Sequence, residues 1–153
     1  MDEATLIRDV LGGSSRPVVT VGPGETIADA VDQLNDNGIG AVVVAVETST
    51  IVGILSERDV VRHLAREQEG TLRLRVEDLM TEDVKVCRLD DPIKPTMAKM
   101  ITGRFRHMPV VADDGSMCGI VSLGDLVFAR LNELEELSGE LGQEGGPAGA
   151  PSS

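Results

Sequence analysis

Apolar residues in this chain recur with two alternating periods, and the alternation predicts the elements. Pro17–Val21 is a short β-branched run and reads as a strand. From Thr26 onward, Ile27, Ala30, Val31 and Leu34 fall at i, i+3, i+4 and i+7, one apolar stripe on a helix. Asp29 stands three residues after Thr26, the spacing of a capping box, and Gly38 offers a helix stop. Ala41–Val46 is unbroken apolar sequence, the pattern of a buried strand. Glu47–Thr50 is polar and turn-like, Ile51–Leu55 is a further strand, and Ser56 opens a helix to about Arg66. The predicted order is β-α-β-β-α.

The order then repeats. VGILSERDVV (Val52–Val61) matches CGIVSLGDLV (Cys118–Val127), pairing Gly53 with Gly119, Ser56 with Ser122 and Asp59 with Asp125, each 66 residues apart. Val18 and Val84, Ile27 and Ile93, Val44 and Val110 keep that offset without a gap. A register held this long marks an internal repeat. The second copy predicts strands at Val84–Cys87, Met108–Val111 and Met117–Val121, and a turn at Asp113–Gly115. Its helices lie near Pro95–Thr102 and from Leu123, with Pro95 tolerable only in a first turn. Thr5–Leu11 and Val76–Met80 read as short helical lead-ins to each copy, and Glu67–Leu74 as a connector. The expected division is one unit over residues 4–66, a connector over 67–75, a second unit over 76–135, and a tail over 136–153, acidic and then rich in Gly, Pro and Ala. The fold class is mixed α/β (α+β). A lone three-stranded unit has a poor core, so the two units are expected to pack through their sheets. Leu126, Leu131, Leu134, Leu137 and Leu141 extend the last helix as an apolar stripe, for packing either on the domain itself or on a partner chain. The stretch after Gly142 is expected to be disordered.

Composition narrows the function. The chain has 153 residues, 41% apolar and 26% charged, with a net charge of -12 and Phe105 and Phe128 as its only aromatics. That charge argues against non-specific nucleic-acid binding, and the lack of aromatics against single-strand stacking platforms. No apolar run approaches the roughly 18 residues of a membrane span. Cys87 and Cys118 form no CxxC, so a cytoplasmic protein with two reduced thiols is expected. The charge is uneven: Asn132–Glu144 holds five Glu and no cation, whereas Pro92–Ala112 holds Lys94, Lys99, Arg104 and Arg106 and no acid. That basic island suits an anionic partner or is simply a solvated helix face.

Several segments, taken in order and twice over, carry a resemblance. They are TLIRDVL leading into VVTV, NGIGAVVVAV and VGILSERDVVRHLA, then VEDLMTEDVKV and RHMPVVADDGSMCGIVSLGDLV. Together they resemble a tandem pair of cystathionine-β-synthase (CBS) domains over about Ala4–Leu137. The resemblance implies two motifs related by a pseudo-two-fold axis, with two clefts between their sheets. It also implies a homodimer, and a non-catalytic sensor of adenosine-containing ligands: AMP, ADP or ATP first, S-adenosylmethionine or NAD second.

The signature reads Gly53-Ile54-Leu55-Ser56-Glu57-Arg58-Asp59 and Gly119-Ile120-Val121-Ser122-Leu123-Gly124-Asp125. Ser followed by Asp three residues on is a capping box, and the same N-cap places free N–H groups and a positive helix end where a phosphate can sit. The resemblance implies that Asp59 and Asp125 accept the ribose hydroxyls. Arg58 can offer a bidentate guanidinium to a phosphate or stand as an exposed helix residue; its counterpart is Gly124. The resemblance further places Arg106, His107, Met108 and Pro109 along the second cleft, with backbone groups on the adenine edge. Gly40-Ala41-Val42-Val43 match them in the first, where missing bulky side chains let a base approach the backbone, and Ile39 is among the aliphatics that would hold a purine. His107 also fits as an ordinary half-buried histidine. Thr20 matches a position facing the ligand, and its counterpart is Val86. A purine would be held between aliphatics, with micromolar to millimolar dissociation constants. No required cofactor, metal site or catalytic set is expected. His63 lies two turns from Ser56, out of reach of a Ser–His pair. The rival expectation is a protein–protein interaction module with degenerate clefts, working through the C-terminal helix.

Overall fold

In the computed structural model, which describes residues 4–12, 18–47, 50–67 and 69–142, the chain folds as two three-stranded sheets with helices packed on them. Sheet one holds β1 (Thr20–Val21), β2 (Ala41–Val46) and β3 (Thr50–Ser56); sheet two holds β4 (Cys87–Arg88), β5 (His107–Val111) and β6 (Met117–Ser122). The helices are α1 (Ile7–Leu11), α2 (Ile27–Asn37), α3 (Glu57–Arg66), α4 (Val76–Leu79), α5 (Ile93–Gly103) and α6 (Leu123–Gly142).

The two sheets share one register. Val21 faces Val44 in parallel, and Cys87 faces Val110 in parallel, 66 residues on. The antiparallel hairpins slip at equivalent places, after Val44 and after Val110. The two cores correspond in the same way. Val21, Ile27, Leu34, Val42, Val44, Leu55 and Val60 fill the first, and Cys87, Ile93, Met100, Met108, Val110, Val121 and Leu126 fill the second. Thr96 stands where the first copy has Ala30, and its hydroxyl donates to Pro92 O at 3.0 Å, so the buried group is satisfied. Ala41 and Val43, on the other face of β2, are also buried, as a sheet covered on both sides requires.

Several expected boundaries move. The first strand is Thr20–Val21, with Pro17 outside the described residues. The second-copy strand expected at Val84–Cys87 is Cys87–Arg88 instead: Val84 N donates to Glu82 O in a tight turn, so the ladder begins later. Helix α5 starts at Ile93, which puts Pro95 in its first turn, where the missing N–H costs no helical bond. It ends on Arg104 at φ 62, the left-handed position that Gly38 fills at φ 61 in the first copy. Within the connector, Thr71–Arg73 forms a short 3-10 turn, with Thr71 buried. The acidic stretch up to Gly142 is helical, and the expected flexible tail at 143–153 lies outside the described residues, as does 48–49 of the first turn.

The lead-in helices cross over. Ile7 of α1 is fully buried in the second core, and Val76 of α4 is fully buried in the first. Backbone bonds fix both: Ile7 N to Asp91 O at 2.9 Å and Ile93 N to Thr5 O at 3.1 Å; Val76 N to Glu25 O and Ile27 N to Leu74 O, both at 2.8 Å. This explains the signature glycines. A Cβ on Gly53 would lie 2.5 Å from Met80 Sδ and 3.0 Å from Thr81 O, and one on Gly119 would lie 3.1 Å from Leu11 Cδ2. Both leave room for the lead-in segment that arrives from the other unit.

Candidate functional site

Both Ser–Asp pairs form complete capping boxes. At α3, Asp59 N donates to Ser56 Oγ at 3.2 Å, while Ser56 N and Ser56 Oγ donate to Asp59 Oδ2 at 2.9 and 3.0 Å. At α6, Asp125 N donates to Ser122 Oγ at 3.0 Å and Ser122 N to Asp125 Oδ2 at 3.1 Å. The carboxylates are therefore structural first. In each, Oδ2 serves the cap and Oδ1 is left for something else.

The strand ends bring the other predicted residues to these caps. Ala41 faces Ser56 and His107 faces Ser122 across their hairpins. Glu57 N donates to Gly40 O at 2.9 Å, and Leu123 N to Arg106 O at 2.7 Å. Gly40, Ala41, Ser56 and Asp59 thus gather at one end of sheet one, and Arg106, His107, Ser122 and Asp125 at the matching end of sheet two. The two ends touch: a Cβ on Gly40 would lie 3.2 Å from His107 Nε2 and 3.5 Å from Glu57 Oε2. Burial lowers the His107 pKa below its usual 6.5, with Arg106 adding to this and Asp125 and Glu57 opposing it. Thr20 and Ile39 are partly buried, Arg58 and Arg106 are exposed, and Pro109 is buried. Met108 is fully buried in the second core, which leaves only its backbone for a ligand.

Among the predicted residues, Asp59 opens on a groove of about 590 Å³ between α3 and α4. Its other lining residues are Arg62, His63, Ala65, Arg66, Asp78 and Leu79. Sequence reasoning missed these because α4 arrives from the far side of the connector. The available signal was the concentration of Arg58, Arg62, His63 and Arg66 on one helix of an acidic chain. Thr71 Oγ1 donates its single proton to Glu67 O at 3.0 Å, so the 3.0 Å contact with His63 Nδ1 has Nδ1–H as donor. His63 Nε2 has no partner among the described residues. Asp78 Oδ2 is engaged by Arg75 N at 2.9 Å in the α4 cap. Arg58, Arg62 and Arg66 make no hydrogen bond or ion pair among the described residues. A smaller hollow of about 380 Å³, lined by Arg8, Leu89, Asp90, Ala112, Asp113 and Asp114, contains no predicted site residue.

The buried Cys87 thiol, its Sγ 3.7 Å from Pro109 O, is pushed up to about 12 by burial and so is protonated and inert at neutral pH. Among the described residues, no three of His, Cys, Asp and Glu gather in a way that would hold a metal ion, and no helix is long and apolar enough to cross a membrane.

Comparison with known proteins fits this geometry. The CBS domain family matches at residues 7–66 and again at 76–132. A crystal structure of a CBS-domain-containing protein from Agrobacterium tumefaciens is 40% identical, covers 83% of this chain and 94% of its own, and superposes with a TM-score of 0.77. A CBS domain-containing protein of Arabidopsis thaliana described as mitochondrial is 32% identical over 142 residues, 88% of this chain and 68% of its own. A CBS domain protein of Pyrobaculum aerophilum, solved in complex with AMP, is 26% identical, covers 88% of this chain and 99% of its own, and gives a TM-score of 0.72.

Proposed function

The chain belongs to the CBS-domain family, carrying the domain twice, and from that premise we propose that it is a non-catalytic sensor of an adenine nucleotide bound at the start of α3. The observation that carries this reading is the Asp59 carboxylate: Oδ2 is committed to the cap, Oδ1 is open, and the residue borders a groove of nucleotide-binding size. The AMP complex of the Pyrobaculum relative supports the ligand class. The candidate wall in the first copy is Thr20, Ile39, Gly40 and Ala41 with Ser56, Arg58 and Asp59. The second copy, with Arg106, His107, Met108, Pro109, Ser122 and Asp125, is the weaker site, since Gly124 replaces Arg58 and Val86 replaces Thr20. We take residues 4–66 and 76–135 as the two units and the cytoplasm as the compartment. Signalling requires that the nucleotide bind one conformation of the molecule or its dimer more tightly than another.

Titration calorimetry with AMP, ADP, ATP, S-adenosylmethionine and NAD tests this. At least one adenine nucleotide is expected to bind with a micromolar to millimolar constant. Asp59→Ala, checked by thermal melting for loss of its cap, should weaken that binding at least tenfold, while Asp125→Ala leaves it within threefold. No heat with any ligand at millimolar concentration overturns the sensor reading. A second reading, an interaction module, is favoured by one observation: α6 exposes Phe128, Leu131, Leu134 and Leu137 in a row. Both readings include a homodimer.

A further inference from the structure

We propose that the groove between α3 and α4 is a phosphate-chain subsite, and that the first unit therefore selects nucleotides with two or more phosphates over the monophosphate. This rests on the sensor reading above and extends it to residues outside the repeat signature.

Helix α3 presents two kinds of group to the groove, each pair four residues apart and so stacked on one face. Asp59 offers its open Oδ1 as an acceptor, and His63, held through Nδ1 by Thr71, offers Nε2. These suit the hydroxyls of a ribose. Arg62 and Arg66 are donors without partners among the described residues, and two guanidiniums offer two bidentate phosphate positions. Asp59 to Arg66 spans about 10 Å of helix, which accommodates a sugar followed by more than one phosphate. Ala65 and Leu79 give the groove apolar patches. Asp78, the remaining acid, is engaged by the α4 cap and would repel a bare polyanion, so the mixed lining favours a nucleotide over free polyphosphate.

The second unit lacks the device. The positions 66 residues after Arg62, His63 and Arg66 are Phe128, Ala129 and Asn132. The repeat kept the capping Asp in both units, but in the second the one cation beyond it on the described helix, Arg130, is paired with Glu133. Two arginines lining one groove of a chain at -12 mark a site for an anion attached to something neutral.

The test is calorimetry with AMP, ATP and inorganic tripolyphosphate in EDTA, so that the phosphate chain alone carries the charge. The wild-type chain should bind ATP at least tenfold more tightly than AMP, and tripolyphosphate more weakly than ATP. Arg62→Gln with Arg66→Gln, both exposed and checked by thermal melting, should bring the ATP and AMP affinities to within threefold of each other by weakening ATP far more than AMP. Equal affinity for AMP and ATP in the wild type, or an ATP preference that survives the double substitution, overturns the subsite and leaves the sensor reading intact. Silence with all nucleotides removes both.

Discussion

Asp59 and Asp125 occupy equivalent positions and form the same cap, yet their surroundings differ. The S-x-x-D spacing announces the cap in both copies, because a capping box is a local property of four residues. Nothing local says that α4 lies beside Asp59, or that Arg62, His63 and Arg66 then share a groove with it. His107 shows the same limit. Its place at the start of β5 follows from the repeat, but its contact with Gly40 and its closeness to both Glu57 and Asp125 come from the meeting of two sheet ends. Because its folded pKa lies below the unfolded value near 6.5, the neutral form is the one the fold favours. The associated stability is present above pH 6.5 and is lost as pH falls through that value toward the folded pKa. Urea midpoints measured at pH 7.5 and 5.5 should therefore drop more for the wild type than for His107→Gln. Equal drops would show that the ring's burial carries no linkage.

Among the elements, those made by a single periodic run form close to where the pattern places them. Helices α2, α3 and α5 and the central strands β2 and β5 are of this kind. The first strands β1 and β4 shrink to two residues each, and before β4 a turn from Val84 N to Glu82 O takes the place of the expected strand start. The short lead-in helices are the elements that sequence order misplaces. At five and four residues they are too short to be stable alone and form only where a core receives Ile7 or Val76. Ile7→Ala should cost about 3 kcal/mol, typical of a large-to-small change in a packed site. Hydrogen exchange should show the protection lost in β4–β6 and α5, the second unit, although Ile7 precedes the first. Loss confined to β1–β3 would contradict the crossover.

For the whole molecule, the net charge of -12 first excludes nucleic acid, and the structure then divides it. Helix α3 carries three arginines with no side-chain partner among the described residues, whereas α6 carries Glu133, Glu135, Glu136 and Glu140. Glu133 is the inward one, accepting from Thr5 N at 2.8 Å and from Arg130 at 2.5 Å, contacts that hold its carboxyl below the usual range and tie the N-terminal segment to α6. The outward side of α6 is apolar, with Leu131 55% and Phe128 52% exposed. A contiguous apolar row of this kind is rarely left in water. Leu131→Asp with Leu134→Asp should convert the proposed homodimer to a monomer in analytical ultracentrifugation without lowering the melting temperature of the monomer. A dimer that persists would place its interface elsewhere.

The sequence by itself determined the repeat, the order of elements in each unit, the capping boxes and the paired core positions. All of these are periodicities or short spacings, written along one dimension. The tertiary packing settled which core each lead-in helix enters and how closely it presses on Gly53 and Gly119. It likewise decided that Gly40 meets His107, and that the first capping Asp faces a groove. Each depends on backbone segments that approach across long sequence separations, where the hydrophobic pattern says that a residue is buried but not against what.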